Sequence, residues 1–351
     1  MKHHRILTTL AVIAVIAVIA VLGGVTLHAE DKPTVHVSLF SWPGYGFWFV
    51  AKEKNLAPDL DLDIQIIEDP YESYGQMAAG KIDVCSSTME YGPIAVDSGV
   101  PIKLISQTTL SYGADKIIVA PGIESAKDLT GKSVAVLEGG LTQIYMGIWL
   151  ENNGVPFDSV TYTNVIMDDA VAAMVGGKVA GGEFWEPFGA KVLETLKGSK
   201  VMTTSLDPYW LKTALLADGM YMSDAFLKEK PEIANKALKA YWDAVAYWMK
   251  NPEEANKIIA AGLKFEVSDV ELVLGKTGKP NEGGLAIFSL ADAAKFMGVS
   301  EGTPAFDLKN GQIKEVWALT TDWWKKFGLV KGDPTFEAGV DLAPMKTVSA
   351  E

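Results

Sequence analysis

From residue 35 to about residue 205 the chain alternates short apolar runs with stretches whose apolar residues recur at helical spacing, and no other feature limits its fold so tightly. Residues 35–40, 62–67, 82–86 and 102–106 read as strands, with helices between them at 45–54, 71–79 and 91–97; Gly80 and Gly99 close the last two. Such a βαβ series needs right-handed crossovers and produces a mainly parallel sheet covered by helices. A second series follows. Its strands fall at 116–119, 133–137, 160–165, 182–185 and 200–204, its helices at 141–152, at 169–175 with Asp168 as the cap, and at 187–196.

From about residue 207 the pattern becomes mostly helical. Pro231 opens a helix whose Ala234, Leu238, Tyr241, Trp242, Val245 and Trp248 keep helical spacing, and Asn251-Pro252-Glu253-Glu254 starts the next. Two short helices, 289–296 and 322–327, are closed by Gly298 and Gly328. One internal echo stands out: Met77-Ala78-Ala79-Gly80-Lys81-Ile82 recurs as Met174-Val175-Gly176-Gly177-Lys178-Val179, each at a helix end feeding a strand. The expected fold class is therefore α/β, with two similar lobes, each a mainly parallel sheet flanked by helices, and a helical C-terminal part.

Ahead of this lies a segment of another kind. Lys2 and Arg5 precede an apolar run of Ala, Val and Ile that ends at Gly23-Gly24, and Ala29 offers a small residue before a cut at Glu30. Residues 1–29 read as an export signal, with a retained membrane anchor as the alternative; no cysteine is near enough for lipid attachment. The expected location is the periplasm. Residues 30–351 carry 29 basic against 44 acidic residues, which disfavours nucleic acid or anionic membrane as a partner. Three of the four histidines lie in the first 29 residues, which leaves His36, and Cys85 is the only cysteine. An intrachain disulfide, a zinc site of His and Cys, and most triad hydrolases are excluded. No cofactor, metal or catalytic residue is expected.

Phosphate-binding motifs fail on inspection. Gly131-Lys132-Ser133 and Gly275-Lys276-Thr277 lack the earlier glycine, with Ala126 and Val270 in its place, and Phe49 stands where a dinucleotide fingerprint needs its third glycine. Cys85 lies in an apolar strand and reads as a buried thiol. Aromatic, hydroxyl and acidic residues cluster instead at four βα turns, where an open α/β sheet binds its ligands. These turns supply Trp42 and Tyr45, Thr88 and Glu90, Glu138, Gly140 and Thr142, and Glu183, Trp185 and Glu186. Trp48 and Trp149, inside helices, are assigned to the core.

Trp42-Pro43-Gly44-Tyr45, Ala79-Gly80-Lys81-Ile82-Asp83-Val84, Asp128-Leu129-Thr130-Gly131-Lys132-Ser133-Val134 and Trp185-Glu186-Pro187 together resemble the nitrate/sulfonate/taurine group of ABC-transporter solute-binding proteins, including those like SsuA. The resemblance runs from about 35 to 250. It implies a type II periplasmic-binding-protein fold in which 30–113 and 207–351 form one lobe and 114–206 the other. It further implies a monomer that closes on a small solute and delivers it to an inner-membrane ABC permease, without catalysis. Ala180 departs from the family, which often has Asp there. Two other readings are a membrane-tethered sensor and a thiamine-pyrimidine-synthase-like enzyme, the latter set against by the absence of a cysteine cluster.

The four glutamates suggest the charge of the ligand. Carboxylates at Glu90, Glu138, Glu183 and Glu186 would repel an anion by about 4 kcal/mol each at about 4 Å and an effective dielectric near 20. A cation or an amide- or amidine-like nitrogen compound would meet them and the faces of Trp42, Tyr45 and Trp185 favourably. The alternative is an anionic sulfonate, taurine or nitrate held at helix N-termini.

Overall fold

Strict alternation buries Val35, Val37 and Leu39 on β1 (Thr34–Leu39), which pairs in parallel with β2 (Asp61–Ile66) on one side and β3 (Val84–Thr88) on the other. The structure is a computed structural model describing residues 32–351, so the expected export segment lies outside the described residues. A 3-10 turn at Pro43–Tyr45 precedes α1 (Phe47–Glu53); α2 (Pro70–Ala78) starts where Asp69 accepts the Tyr71 N–H, and α3 (Tyr91–Asp97) leads to β4 (Ile102–Ser111). β4 runs on to Ser111 rather than stopping at Ser106.

The second sheet holds β5 (Lys116–Val119), β6 (Ser133–Val136), β7 (Thr161–Asn164), β8 (Gly181–Phe184) and β9 (Lys200–Thr204), connected through α4 (Leu141–Asn152), α5 (Met167–Val175) and α6 (Phe188–Thr195). Asp168 does not cap α5. The cap position is Ile166, without a side-chain bond, and Asp168 sits in the first turn, where it complements the helix dipole.

The remainder contains α7 (Pro208–Thr213), β10 (Ala217–Ser223), α8 (Asp224–Glu229), α9 (Pro231–Lys250), α10 (Pro252–Leu263), α11 (Val267–Leu274), β11 (Leu285–Ile287), α12 (Leu290–Phe296), α13 (Ile313–Phe327), α14 (Phe336–Gly339) and α15 (Ala343–Val348). It is mostly helical as expected, but two strands were not foreseen. β10 reads Ala-Asp-Gly-Met-Tyr-Met-Ser with every residue buried, so it shows neither alternation nor strand-forming composition. The expected helix at 322–327 is the second half of the longer α13.

The sheet orders are β11-β4-β10-β3-β1-β2 and β7-β6-β8-β5-β9. Among the described residues, four of six strands in the first sheet and four of five in the second run the same way. Each sheet also has one reversed strand inside it: β10 lies between β3 and β4, and β5 between β8 and β9. The echoed motif is the same turn made twice. Gly80 and Gly177 have φ of 69° and 70°, their N–H groups reach the Met77 and Met174 carbonyls, and both methionines are buried. Among the described residues no helix is long and apolar enough to cross a membrane.

The chain passes between the sheets at 112–115 and again at 205–216, and one polar cluster joins the two passages. The Ser205 hydroxyl accepts the Gly113 N–H and bonds the Ser111 hydroxyl, both at 2.7 Å, while the Ser205 N–H reaches the Asp115 carbonyl at 2.9 Å. Ser111 also bonds the Asp115 carboxylate. Ser205 is fully buried. Ser205→Ala changes the volume little but strands the Gly113 N–H, and should destabilise the protein by about 1–3 kcal/mol in urea unfolding.

Candidate functional site

Parallel strands end at one edge of each sheet, and reversed strands begin there. The turns after β1, β3, β6 and β8 therefore meet the first residues of β10 and the residue before β5, around a crevice of about 550 Å³ including its open mouth. Phe40, Trp42, Tyr45, Thr88, Tyr91 and Asp218 line it from the first sheet, and Leu137, Leu141, Thr142 and Trp185 from the second. Asp115 and Ser111 line it at the crossing.

Asp218 organises the first wall. Its carboxylate accepts Trp42 Nε1–H and the Tyr45 hydroxyl, each at 2.8 Å, and the Thr109 hydroxyl at 2.5 Å. Burial raises its pKa to about 6, against the pull of those three donors. Gly44 is required beneath them, since a Cβ there would come within 2.6 Å of Trp42 Nε1 and 2.9 Å of the Asp218 carboxylate. Trp42 and Tyr45 thus present ring surface to the crevice while their polar atoms are already bonded.

The four glutamates do not act as expected. Glu138 is exposed and lies outside this crevice, beside Phe157, Tyr162 and Phe327. Glu186 is buried, but it accepts Lys116 Nζ at 2.6 Å and the Ala190 N–H at 2.9 Å, so its charge is matched. Glu183 lies behind the wall, 1% exposed, and no donor reaches either oxygen. Burial first, then neighbouring Asp115, raises its pKa well above the ordinary carboxyl range. Burial also raises Asp115. Glu90 is fully buried among tyrosines, its carboxyl accepts the Thr88 hydroxyl at 2.6 Å, and burial lifts its pKa to about 8 against the pull of that donor and of nearby backbone N–H groups.

The other expected residues divide. Thr88, Thr142 and Trp185 reach the crevice, although Thr142 Oγ1 already accepts the Leu137 N–H at 2.6 Å. Gly140 sits under Tyr91, whose hydroxyl would lie 2.6 Å from a Cβ there, and the neighbouring Gly139 sits under Tyr71 in the same way. These glycines let two tyrosines of the first sheet's turns close on the start of α4. Trp48 and Trp149 are core residues as assigned. Cys85 is buried, its thiol pushed up to about 11 by that burial, and His36 bonds Asp63 at 2.9 Å on β1 and β2.

The sequence reading missed Asp218, Asp115, Ser111, Thr109 and Tyr91. Asp218 carried a usable signal as a lone acid inside the apolar run Leu215-Leu216-Ala217-Asp218-Gly219-Met220. Tyr91 stood at the end of the turn Thr88-Met89-Glu90-Tyr91 but was given to the helix that follows, and Thr109, Ser111 and Asp115 carried no signal, since they fall between the strand read at 102–106 and the one read at 116–119.

Comparison with known proteins agrees with this architecture. A binding protein of Brucella abortus is 22% identical over 66% of this chain and 71% of its own length. The taurine-binding periplasmic protein of Escherichia coli is 24% identical over 52% of this chain and 58% of its own. A Bacillus subtilis protein named for aliphatic sulfonate binding is 26% identical, covering 59% and 61%. Among solved structures, the alkanesulfonate-binding protein SsuA from Xanthomonas axonopodis pv. citri bound to MOPS superposes with a TM-score of 0.69 at 14% identity, over 90% of this chain and 100% of that one. The desulfurization enzyme DSZB has the same fold, with a TM-score of 0.59 at 13% identity over 91% and 99%. Residues 42–255, more than half of the chain, match the family described as NMT1/THI5 like, and the chain belongs to that family.

Proposed function

We propose that this protein is the periplasmic solute-binding component of an ABC importer, and that its solute is of the organic sulfonate class. The observation that carries the binding role is the crevice itself, walled by turns from both sheets and opened or closed by movement at the two crossings. On this reading 114–206 and the rest of the mature chain are two lobes, and a membrane permease recognises the closed form. The binding-protein relatives favour binding over catalysis.

Support for a sulfonate comes from the relatives named for sulfonates and taurine, and from the state of the glutamates. The repulsion expected of four carboxylates is largely absent. Glu138 lies elsewhere, Glu186 is paired with Lys116, and burial raises Glu90 to about 8 and Glu183 well above the ordinary carboxyl range, which favours their neutral forms. The twelve-residue α4 turns its first residues, Leu141 and Thr142, to the crevice, and a helix start favours an anion.

A second reading, a cationic or amide-like nitrogen compound, is favoured by one observation. Among the described residues lining the crevice there is no lysine or arginine, while Glu68, Asp115 and Asp218 are there. A solute bearing both a sulfonate and an ammonium satisfies both sets of groups. Titration calorimetry with taurine, alkanesulfonates and nitrate against guanidinium, amine and urea compounds separates the readings. Tight binding confined to the nitrogen compounds lacking a sulfonate would sink the sulfonate assignment.

Glu90 supplies two pH tests. Its folded pKa, about 8, lies above that of an unfolded glutamate, so the native state holds the extra proton between about pH 4.3 and 8. Stability therefore falls as pH rises through that window; Glu183, Asp115 and Asp218 act in the same direction. Glu90→Gln, which stays neutral, should flatten part of the decline in Tm between pH 5 and pH 8. Sulfonate affinity should fall above pH 8 as Glu90 ionises, and Glu90→Gln should keep it level; an unchanged profile in the variant would clear Glu90 of the role.

A further inference from the structure

A second, larger space adjoins the crevice. It measures about 1220 Å³ including its open mouth, and it shares Glu68, Leu137 and Trp185 with the inner space. Its walls come from the turn and helix following β8, from the start of α5, and from Phe265, Asp269 and Leu272 around α11. Charged side chains such as Asp168, Lys191 and Glu194 are among its lining, together with a broad apolar surface. Ile166 and Leu272 line it while 39% and 45% exposed, which is unusual for large aliphatic side chains without a covering partner.

One continuous aromatic series connects the two spaces. Tyr45 meets Phe40 edge-on with ring centroids 5.0 Å apart, Phe40 lies 6.1 Å from Trp185, Trp185 lies 6.1 Å from Phe188, and Phe188 lies 6.5 Å from Phe265. Tyr45 and Phe40 belong to the inner space, Phe188 and Phe265 to the outer, and Trp185 to both. Trp185 Nε1–H is buried and has no hydrogen-bond partner among the described residues.

We propose that the solute is elongated: its polar head occupies the inner crevice, and an aryl or long alkyl body lies along the aromatic series into the outer space. This rests on the solute-binding reading above but not on its choice of head group. A two-carbon solute such as taurine would leave the outer aromatic residues uncovered.

Calorimetry on the mature protein with matched pairs tests it: ethanesulfonate against 2-phenylethanesulfonate, and ethylamine against 2-phenylethylamine. Within whichever head-group pair binds, the phenyl member should bind tighter by about tenfold or more, from the apolar area it buries. Phe188→Ala and Leu272→Asn should remove most of that gain while changing the short member by less than about twofold, since they lie away from the inner space. Leu272 is exposed enough that its replacement tests the contact without threatening the fold. Equal affinity of short and phenyl members, or equal loss of both in the variants, would overturn the elongated solute and leave the binding role intact. Failure of all four compounds to bind, with the protein folded by circular dichroism, would count against both.

Discussion

A carboxylate buried in the middle of a sheet is unfavourable unless donors meet it, and Asp218 is met by three, from two separate parts of the chain. Trp42 and Tyr45 come from the turn after β1, Thr109 from β4, and Asp218 itself from β10, the strand that returns after the second crossing. Removing any one of these groups would leave a buried polar atom unmatched, so the register of β10 between β3 and β4 is fixed by chemistry as well as by packing. The same bonds fix the aromatic wall of the crevice and require Gly44 beneath it. The orientation of that wall therefore depends on a strand that begins about 175 residues after Trp42 in the sequence.

Environment, more than residue type, decides which acids carry charge here. Glu186 and Glu183 are three residues apart at the same strand end, yet one is paired with Lys116 and the other is buried without a donor. Glu90 has one hydroxyl and a surround of tyrosine rings, whereas Asp218 has three donors; burial lifts the first to about 8 and the second only to about 6. Counting acids along a sequence gives the number of carboxyls near a site. It does not give the field they produce.

The strands and helices of the βαβ series were legible because burial on one or both faces leaves a period in the sequence, and the four βα turns were legible because a parallel sheet places its ligand at those ends. Trp42, Tyr45, Thr88, Thr142 and Trp185, read from those turns, line the crevice. β10 was not, since a strand buried on both faces and rich in Gly and Met has no period to read. Asp115 was missed for a related reason: it precedes a reversed strand, whose crevice end is its beginning and not its carboxyl terminus. Glu138, although at one of those turns, lines a different space with Phe157 and Phe327, because position at a turn does not specify which space a residue borders.

The reversed strands also link the crevice to the crossings. β5 and β10 are the first strands after each passage between the sheets, so the residues at their starts, Asp115 and Asp218, are among the first that the chain places after crossing. Both line the crevice, and Asp115 is also bonded to Ser111 at the crossing, where Ser205 ties the other passage. On the proposed reading, a solute that touched Asp115 would act on the Ser111–Ser205 cluster at the crossings directly, through one side chain. In a fold whose parallel strands alone formed the site, ligand and hinge would be separated by the length of a strand. The insertion of one antiparallel strand in each sheet shortens that path to a single residue, which gives a closing motion a local cause.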